Sequence, residues 1–152
     1  GLKNRSPSRI ILDNKLKISM NSKIIKGATY YRTIIFYNKF NKRKIKQLKN
    51  LNIKLFKLPL DVANNLDLRE VLIKAKKLGF YRILLESGMR LTCNFLYKNL
   101  VDDFNLFISN KNLGNNGENN IKKHLKILLN NKKNINVKVN LLGDKLTTYK
   151  IK

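Results

Sequence analysis

Short apolar runs of strand length alternate along this chain with amphipathic segments of helix length, and no linker interrupts them. The first run, Ser8 to Leu12, ends at Asp13 and Asn14, whose side chains favour a turn. Further strand-like runs cover residues 29–37, 53–58, 81–86 and 104–108, and the helical segments cover 41–51, 67–79, 90–98 and 121–129. Strands that alternate with helices predict an α/β fold.

The most clearly marked helix follows Asp67, which can cap the N-terminus, and Glu70 lies at the spacing of a capping box. Gly79 supplies the C-terminal stop. The inward stripe of this helix consists of Leu68, Val71, Leu72, Ala75 and Leu78. These signals together predict an amphipathic helix that packs on a sheet.

The last third of the chain contains a loop and a hairpin. Residues 110–120 are rich in Gly and Asn and predict a loop. Two strand-like runs, 135–142 and 145–151, lie on either side of Gly143 and Asp144 and predict an antiparallel hairpin. We therefore expect a mixed sheet flanked by helices, with an antiparallel pair at the C-terminal end.

The charge of the chain is strongly positive, with 33 Lys plus Arg against 9 Asp plus Glu among 152 residues, or +24. Lys, Asn and Ile are abundant and have AT-rich codons, so genome composition accounts for much of this excess. The densest basic run, Lys39 to Lys49, also fits an amphipathic helix with Ile45 and Leu48 facing inward. This favours a solvated surface over a nucleic-acid patch, although a basic nucleic-acid-binding protein associated with ribosomes stays open.

Composition narrows the remaining classes of protein. With 43% hydrophobic residues, 7 Gly and 1 Cys, the chain fits neither a disordered, nor a collagen-like, nor a disulfide-rich protein. A single Cys favours a reducing, cytoplasmic compartment, and no apolar stretch is long enough to cross a membrane. The chain starts at Gly1 without Met, so we expect it to follow a tag or to lie inside a longer protein.

The strongest candidate for chemistry is the segment from Leu85 to Thr92, where a predicted strand enters a Gly turn and then a helix. Free backbone N–H groups and the positive end of the helix dipole suit a phosphate, and Gly88 lets a bulky anion approach the backbone. Ser87 and Thr92 can donate hydroxyls, and Arg90 can supply a cation. Many strand-turn-helix units bind nothing, so a purely structural turn stays open.

Other reactive side chains favour structural roles. His124 lies among lysines without a Cys or carboxylate at ligand spacing, which predicts a surface histidine and no zinc site. Cys93 lacks an adjacent His and predicts a packing role. Asp102 and Asp103 are expected to bond within the turn that enters the next strand, and a metal pair is the lesser alternative. No catalytic or metal-binding residue is therefore assigned.

The order of several motifs resembles the C-terminal reductase domain of the bifunctional riboflavin-biosynthesis deaminase/reductase. The similar segments are Arg5 to Asp13, Leu66 to Gly79, Leu84 to Gly88 with Leu91, Leu100 to Phe104, Leu113-Gly114 and Gly143-Asp144. Each motif is short, but together they cover essentially the whole chain in the order of the family.

The resemblance implies a dihydrofolate-reductase-like fold and NADPH-dependent reduction of 5-amino-6-(5-phosphoribosylamino)uracil, in which the ribosyl group becomes ribityl. By position in the family motif, Glu86 would contact the phosphorylated pyrimidine substrate. The implied cofactor contacts are Asn14, Gly88, Met89, Arg90, Leu91, Thr92, Cys93 and Asn94. The chemistry of the turn and the resemblance thus indicate the same segment.

The chain also departs from the family. Ser87 stands where the family commonly has Gly or Ala, and neither the opening strand nor a Ser-Leu-Asp-Gly-like segment precedes Gly1. We therefore expect residues 1–152 to form the later two-thirds of a single reductase-type domain that is poorly active alone. The resemblance further implies an N-terminal zinc deaminase domain and, as one assembly, a homodimer. A structural domain that has lost catalysis stays open as an alternative.

Overall fold

The computed structural model of the chain describes residues 6–111, 122–137 and 143–152. It divides into two compact units, Gly1–Arg82 and Ile83–Lys152. The first unit contains β1 (Arg9–Leu12), α1 (Lys23–Lys26), a 3₁₀ turn (Gly27–Thr29), β2 (Thr33–Tyr37), α2 (Lys42–Asn50), β3 (Lys54–Lys57) and α3 (Leu68–Lys77). The second contains α4 (Met89–Tyr97), β4 (Asp103–Ile108), α5 (Lys122–Leu129), β5 (Asn134–Val137) and β6 (Lys145–Lys150).

A parallel sheet in the order β1-β2-β3 forms the centre of the first unit. All five residues of β2 are buried, because helices cover both faces of the sheet. Ile35 packs with Leu48 of α2 on one face, and Ile34 packs with Val71 of α3 on the other. The inward position of Leu48 confirms the predicted amphipathic helix in the basic run, whose lysines lie mostly on the exposed side.

The ends of the helices follow the local sequence signals. The side chain of Asp67 accepts hydrogen bonds from the backbone N–H groups of Arg69 (2.8 Å) and Glu70 (3.3 Å), which confirms the predicted N-cap. The N–H of Asp67 itself donates to the carbonyl of Pro59 at 3.0 Å, so the reciprocal half of a capping box is not formed. Gly79 has φ +90°, which confirms its role as the residue that ends α3.

The second unit is built on an antiparallel sheet in the order β4-β6-β5. The pairing of β5 with β6 confirms the predicted hairpin, whose residues 138–142 lie outside the described part. One face of the sheet packs on α4 and α5 through Phe104, Leu106 and Tyr149, which contact the cluster that contains Leu96 and Leu125. The parallel strands and the C-terminal antiparallel strands confirm the α/β class, and they lie in two separate sheets.

The prediction of a buried strand over residues 81–86 is wrong. This segment is not a strand, and Tyr81 and Leu84 are 81% and 80% exposed. An apolar run becomes a strand only when a neighbouring strand takes up its backbone hydrogen bonds, and none of the strands in the described ranges pairs with this one. The second strand also begins later than expected, at Thr33, because residues 27–29 form the 3₁₀ turn.

Within the described residues, no helix combines the length and the hydropathy that crossing a bilayer requires.

Candidate functional site

The candidate site is centred on the turn that leads from Glu86 into α4. Gly88 is the N-cap of this helix, with φ −66° and ψ 165°, a conformation that any residue can adopt. A Cβ placed on Gly88 would meet no atom within 4 Å, so the space beside its backbone is open. The glycine is therefore not needed for backbone conformation here, and its missing side chain leaves the backbone accessible to a ligand.

The first turn of α4 presents several unpaired donors. The backbone N–H groups of Met89, Arg90 and Leu91 make no hydrogen bond to any described residue, as expected for the first turn of a helix. The first helical bond runs from the N–H of Thr92 to the carbonyl of Gly88 at 3.2 Å. The side chain of Arg90 is exposed and forms no ion pair within the described ranges. Unpaired N–H groups, the positive helix end and a guanidinium form a donor set that fits a phosphate or diphosphate.

Two hydroxyl groups lie against each other across this turn. Ser87 Oγ and Thr92 Oγ1 are 2.9 Å apart, and either can donate. Thr92 Oγ1 also lies 3.4 Å from the carbonyl oxygen of Ser87, and Ser87 Oγ lies 3.4 Å from that of Gly88, so the hydroxyl that accepts from its partner can donate to a carbonyl. The hydroxyls predicted to face a ligand are therefore engaged with the turn itself.

The remaining residues around the turn differ in accessibility. Glu86 and Asn94 are exposed, and the carboxylate of Glu86 makes no hydrogen bond or ion pair in the described part of the chain. Cys93 is buried in α4, which confirms its predicted packing role. Met89 and Leu91 are half-buried. The structure thus leaves the side chains of Glu86, Arg90 and Asn94 accessible to a ligand.

Asn14 lies in the first unit, at the carboxyl end of β1, whereas the other predicted site residues lie in the second unit. Its Nδ2 donates to the carbonyl of Asn64 at 3.0 Å. Its carbonyl accepts from the N–H groups of Asn38 at 3.0 Å and Lys39 at 2.9 Å. Asn38 in turn donates from Nδ2 to the carbonyl of Leu58 at 2.8 Å.

These bonds fix the loops that follow the parallel strands. The carboxyl ends of parallel strands are where open α/β sheets bind ligands. Asn38 and Asn64 at this edge are not among the residues predicted from the sequence. A signal was present for Asn38, since an Asn directly follows β2 as Asn14 follows the first strand and Asp13.

The prediction that Asp102 and Asp103 bond within their turn is wrong. Asp103 pairs with Lys150 (2.5 Å) and Asp102 with Lys152 (3.5 Å), because the register of β4 and β6 places Asp103 opposite Lys150. Among the residues that the structure describes, no three His, Cys, Asp or Glu side chains form a group that could hold a metal. The side chain of His124 lies outside the described part.

Comparison with known structures supports this fold. The chain is similar to Acinetobacter baumannii RibD with a TM-score of 0.63 and 17% identity over 95% of this chain and 37% of that one. It is also similar to a pyrimidine reductase-like protein from Corynebacterium diphtheriae, with a TM-score of 0.66 and 14% identity over 95% of this chain and 60% of that one. At these identities the likeness shows a shared fold.

Proteins with similar sequences belong to the same group as these similar structures. The chain is 27% identical over 110 residues to the riboflavin biosynthesis protein RibD of Aquifex aeolicus (strain VF5), covering 72% of this chain and 29% of that protein. Identity to RibD of Actinobacillus pleuropneumoniae is also 27%, over 111 residues, with the same coverage of 72% and 29%. The chain therefore spans less than a third of the length of these relatives.

The family model described as RibD C-terminal domain matches residues 1–142. The chain belongs to the RibD C-terminal domain family.

Proposed function

We propose that this chain is the pyrimidine reductase domain of riboflavin biosynthesis. In this proposal it reduces 5-amino-6-(5-phosphoribosylamino)uracil with NADPH and converts the ribosyl group to ribityl. The observation that carries the proposal is the family match over residues 1–142, which includes the open Gly88 turn and its unpaired first-turn N–H groups. Bound NADPH would supply the hydride.

The protein contributes binding and electrostatics. The N–H groups of Met89, Arg90 and Leu91 are available in the described structure to donate hydrogen bonds to the cofactor diphosphate, and the exposed Arg90 adds a positive charge. By resemblance to the family, we also propose Cys93 and Asn94 as cofactor contacts, and Asn14 of the first unit. Cys93 contributes through its backbone position, since its side chain is buried. The basic surface of a chain with charge +24 would raise the local concentration of both anionic ligands.

Glu86 would orient the substrate. Its exposed carboxylate is an acceptor for amino or hydroxyl groups of the pyrimidine or the sugar. It directly precedes the Ser87-Gly88 turn, so a substrate held by Glu86 would lie beside a cofactor held by the first turn of α4. We assign no proton transfer to Glu86 or to any other side chain.

We further propose that residues 1–152 act as one reductase-type domain of a longer cytoplasmic protein with an N-terminal zinc deaminase domain. The short span relative to the two RibD relatives, 29% of each, supports a longer protein. The single Cys fits a reducing compartment. In this proposal the isolated residues 1–152 turn over poorly, because the exposed apolar segment around Leu84 has no strand to pair with in the described structure.

A homodimer is supported by the open face of the antiparallel sheet. Phe107, Leu146 and Val137 lie directly opposite one another across the three strands, on the face away from α4 and α5. Phe107 is 58% exposed. Asp103 and Lys150 on this face pair with each other, which neutralises part of its positive charge. We propose that two copies associate through this face.

The experiment that tests the function is an assay of the full-length protein with the ribosylamino pyrimidine and NADPH. We expect NADPH oxidation that depends on the substrate, together with NADPH binding that survives moderate salt. Binding to RNA that falls steeply with salt and is lost on charge reversal of Lys39, Lys42, Arg43 and Lys46, without NADPH oxidation, would favour the nucleic-acid alternative. NADPH and substrate binding without turnover would favour the inactive structural domain.

A further inference from the structure

The hydroxyl pair Ser87 and Thr92 occupies two defined positions at the start of α4. With Gly88 as the N-cap, Ser87 is the residue before the cap and Thr92 is the fourth residue of the helix. In many helices an apolar pair at these positions fixes the angle at which the chain enters. Here the 2.9 Å contact between Ser87 Oγ and Thr92 Oγ1 joins the same two positions through hydroxyls.

The hydroxyl groups of Ser87 and Thr92 use their hydrogens within the turn. If Ser87 donates to Thr92, then Thr92 donates to the carbonyl of Ser87; if Thr92 donates to Ser87, then Ser87 donates to the carbonyl of Gly88. In both arrangements each hydroxyl hydrogen is used inside the turn. Neither hydrogen is left over for a ligand, so the pair acts on a ligand only through the backbone that it holds.

The backbone between the two residues carries the unpaired donors. Gly88 has no side chain that could cap the helix, which leaves the N–H groups of Met89, Arg90 and Leu91 without an acceptor in the described structure. A cap supplied by Ser, Asp or Asn would fix the entry of the chain but would also occupy these N–H groups. The Ser87–Thr92 contact fixes the entry from outside the first turn and keeps the N–H groups available.

We propose that Ser87 and Thr92 are positioning residues that hold the Gly88 turn ready for the diphosphate of NADPH. This rests on the proposed function of the turn and gives Thr92 a different role from direct contact with the cofactor. The pair touches no reacting atom. Its loss therefore weakens cofactor binding, through lost preorganisation, and leaves the rate of the bound complex unchanged.

The test is a double-mutant cycle in the full-length protein, with the dissociation constant of NADPH measured by titration. Ser87→Ala and Thr92→Val are each expected to weaken binding about two- to tenfold, the effect of one hydrogen bond, and the double variant no more than either single one. Thr92→Ser keeps the hydroxyl and is expected to retain wild-type affinity. kcat is expected to stay unchanged in all of these variants. The KM for NADPH is expected to rise in Ser87→Ala, Thr92→Val and the double variant, and to keep its wild-type value in Thr92→Ser.

Thr148→Val is the matched control, because Thr148 Oγ1 donates to Asn105 Oδ1 at 2.7 Å on the antiparallel sheet, away from the turn in sequence. It is expected to lose one hydroxyl bond without changing NADPH affinity. Equal affinities for Ser87→Ala and Thr148→Val, or fully additive losses in the double variant, would overturn the inference while the proposed function stands. If the unmodified protein does not bind NADPH, the proposed function itself fails.

Discussion

Replacing Gly88 with Asp should separate folding from cofactor binding at the α4 turn. The φ of −66° and ψ of 165° accept any residue, and a Cβ at Gly88 meets no atom within 4 Å. Asp is a somewhat better N-cap than Gly, and its negative charge is favourable at the positive end of the helix. We expect Gly88→Asp to raise the free energy of unfolding by about 0.5 kcal/mol, which corresponds to a Tm rise of about 1–2 °C for a chain of this size.

The same carboxylate would repel the diphosphate of NADPH at the proposed cofactor site. It would take up the first-turn N–H groups of α4 and place a negative charge beside the bound phosphates. At a separation of about 5 Å and an effective dielectric constant of about 20, the repulsion between two unit charges is about 3 kcal/mol. We therefore expect the Kd for NADPH to rise by about 100-fold.

The assay is a titration of the variant with NADPH at fixed ionic strength, together with a thermal melt. Gly88→Asn is the matched control, because Asn has the same shape and also caps well but carries no charge. We expect Asn to weaken binding through competition for the N–H groups alone, and therefore much less than Asp. Equal Kd values for the Asp and Asn variants, with both close to the unmodified protein, would refute the location of the diphosphate at this turn.

Three further predictions address the substrate, the fold and the assembly. Glu86→Gln should raise the KM for the pyrimidine by about tenfold, the loss expected when a charged hydrogen-bond acceptor becomes neutral. Tm and NADPH affinity should stay unchanged, because the side chain is exposed and unpaired among the described residues. An unchanged KM would contradict the proposed contact. Asp67→Ala should lower the free energy of unfolding by about 1 kcal/mol, or Tm by about 2–4 °C, because two N–H groups lose their acceptor. Asp67→Asn should retain most of the stability of the unmodified protein. Equal Tm values for the two variants would contradict the role of Asp67 as a cap. Phe107→Lys should convert a dimer to a monomer in sedimentation while each copy stays folded, since the side chain is exposed in the single chain, and a dimer that persists would place the interface elsewhere.

Local signals account for the parts of the fold that could be predicted. The spacing of Leu48 and Ile45 indicates the buried side of α2, and Asp67 and Gly79 indicate both ends of α3. Caps and helical periodicity act within a few residues, so the sequence reveals them directly. The prediction of a strand over residues 81–86 was wrong because a strand needs a neighbouring strand to pair with. An apolar run does not reveal whether such a partner exists elsewhere in the sequence.

Some features of the candidate site could likewise be predicted from the sequence, and others could not. The available N–H groups at the start of α4 follow from a glycine before a helix, so they could be predicted. The contact between Ser87 and Thr92 depends on side-chain rotamers, and both hydroxyls were expected to face a ligand. The ion pair of Asp103 with Lys150 depends on the register of two strands that places residues 47 positions apart opposite each other, which the local sequence does not reveal.

The transfer of deuterium is the most direct measurement of the proposed function. The full-length protein would be supplied with the ribosylamino pyrimidine and with NADPH deuterated at the transferred position of the nicotinamide, and the product analysed by mass spectrometry. We expect a ribityl product that carries one deuterium at the carbon that was the anomeric carbon of the ribosyl group. Unchanged substrate, or a reduced product without deuterium, would contradict it.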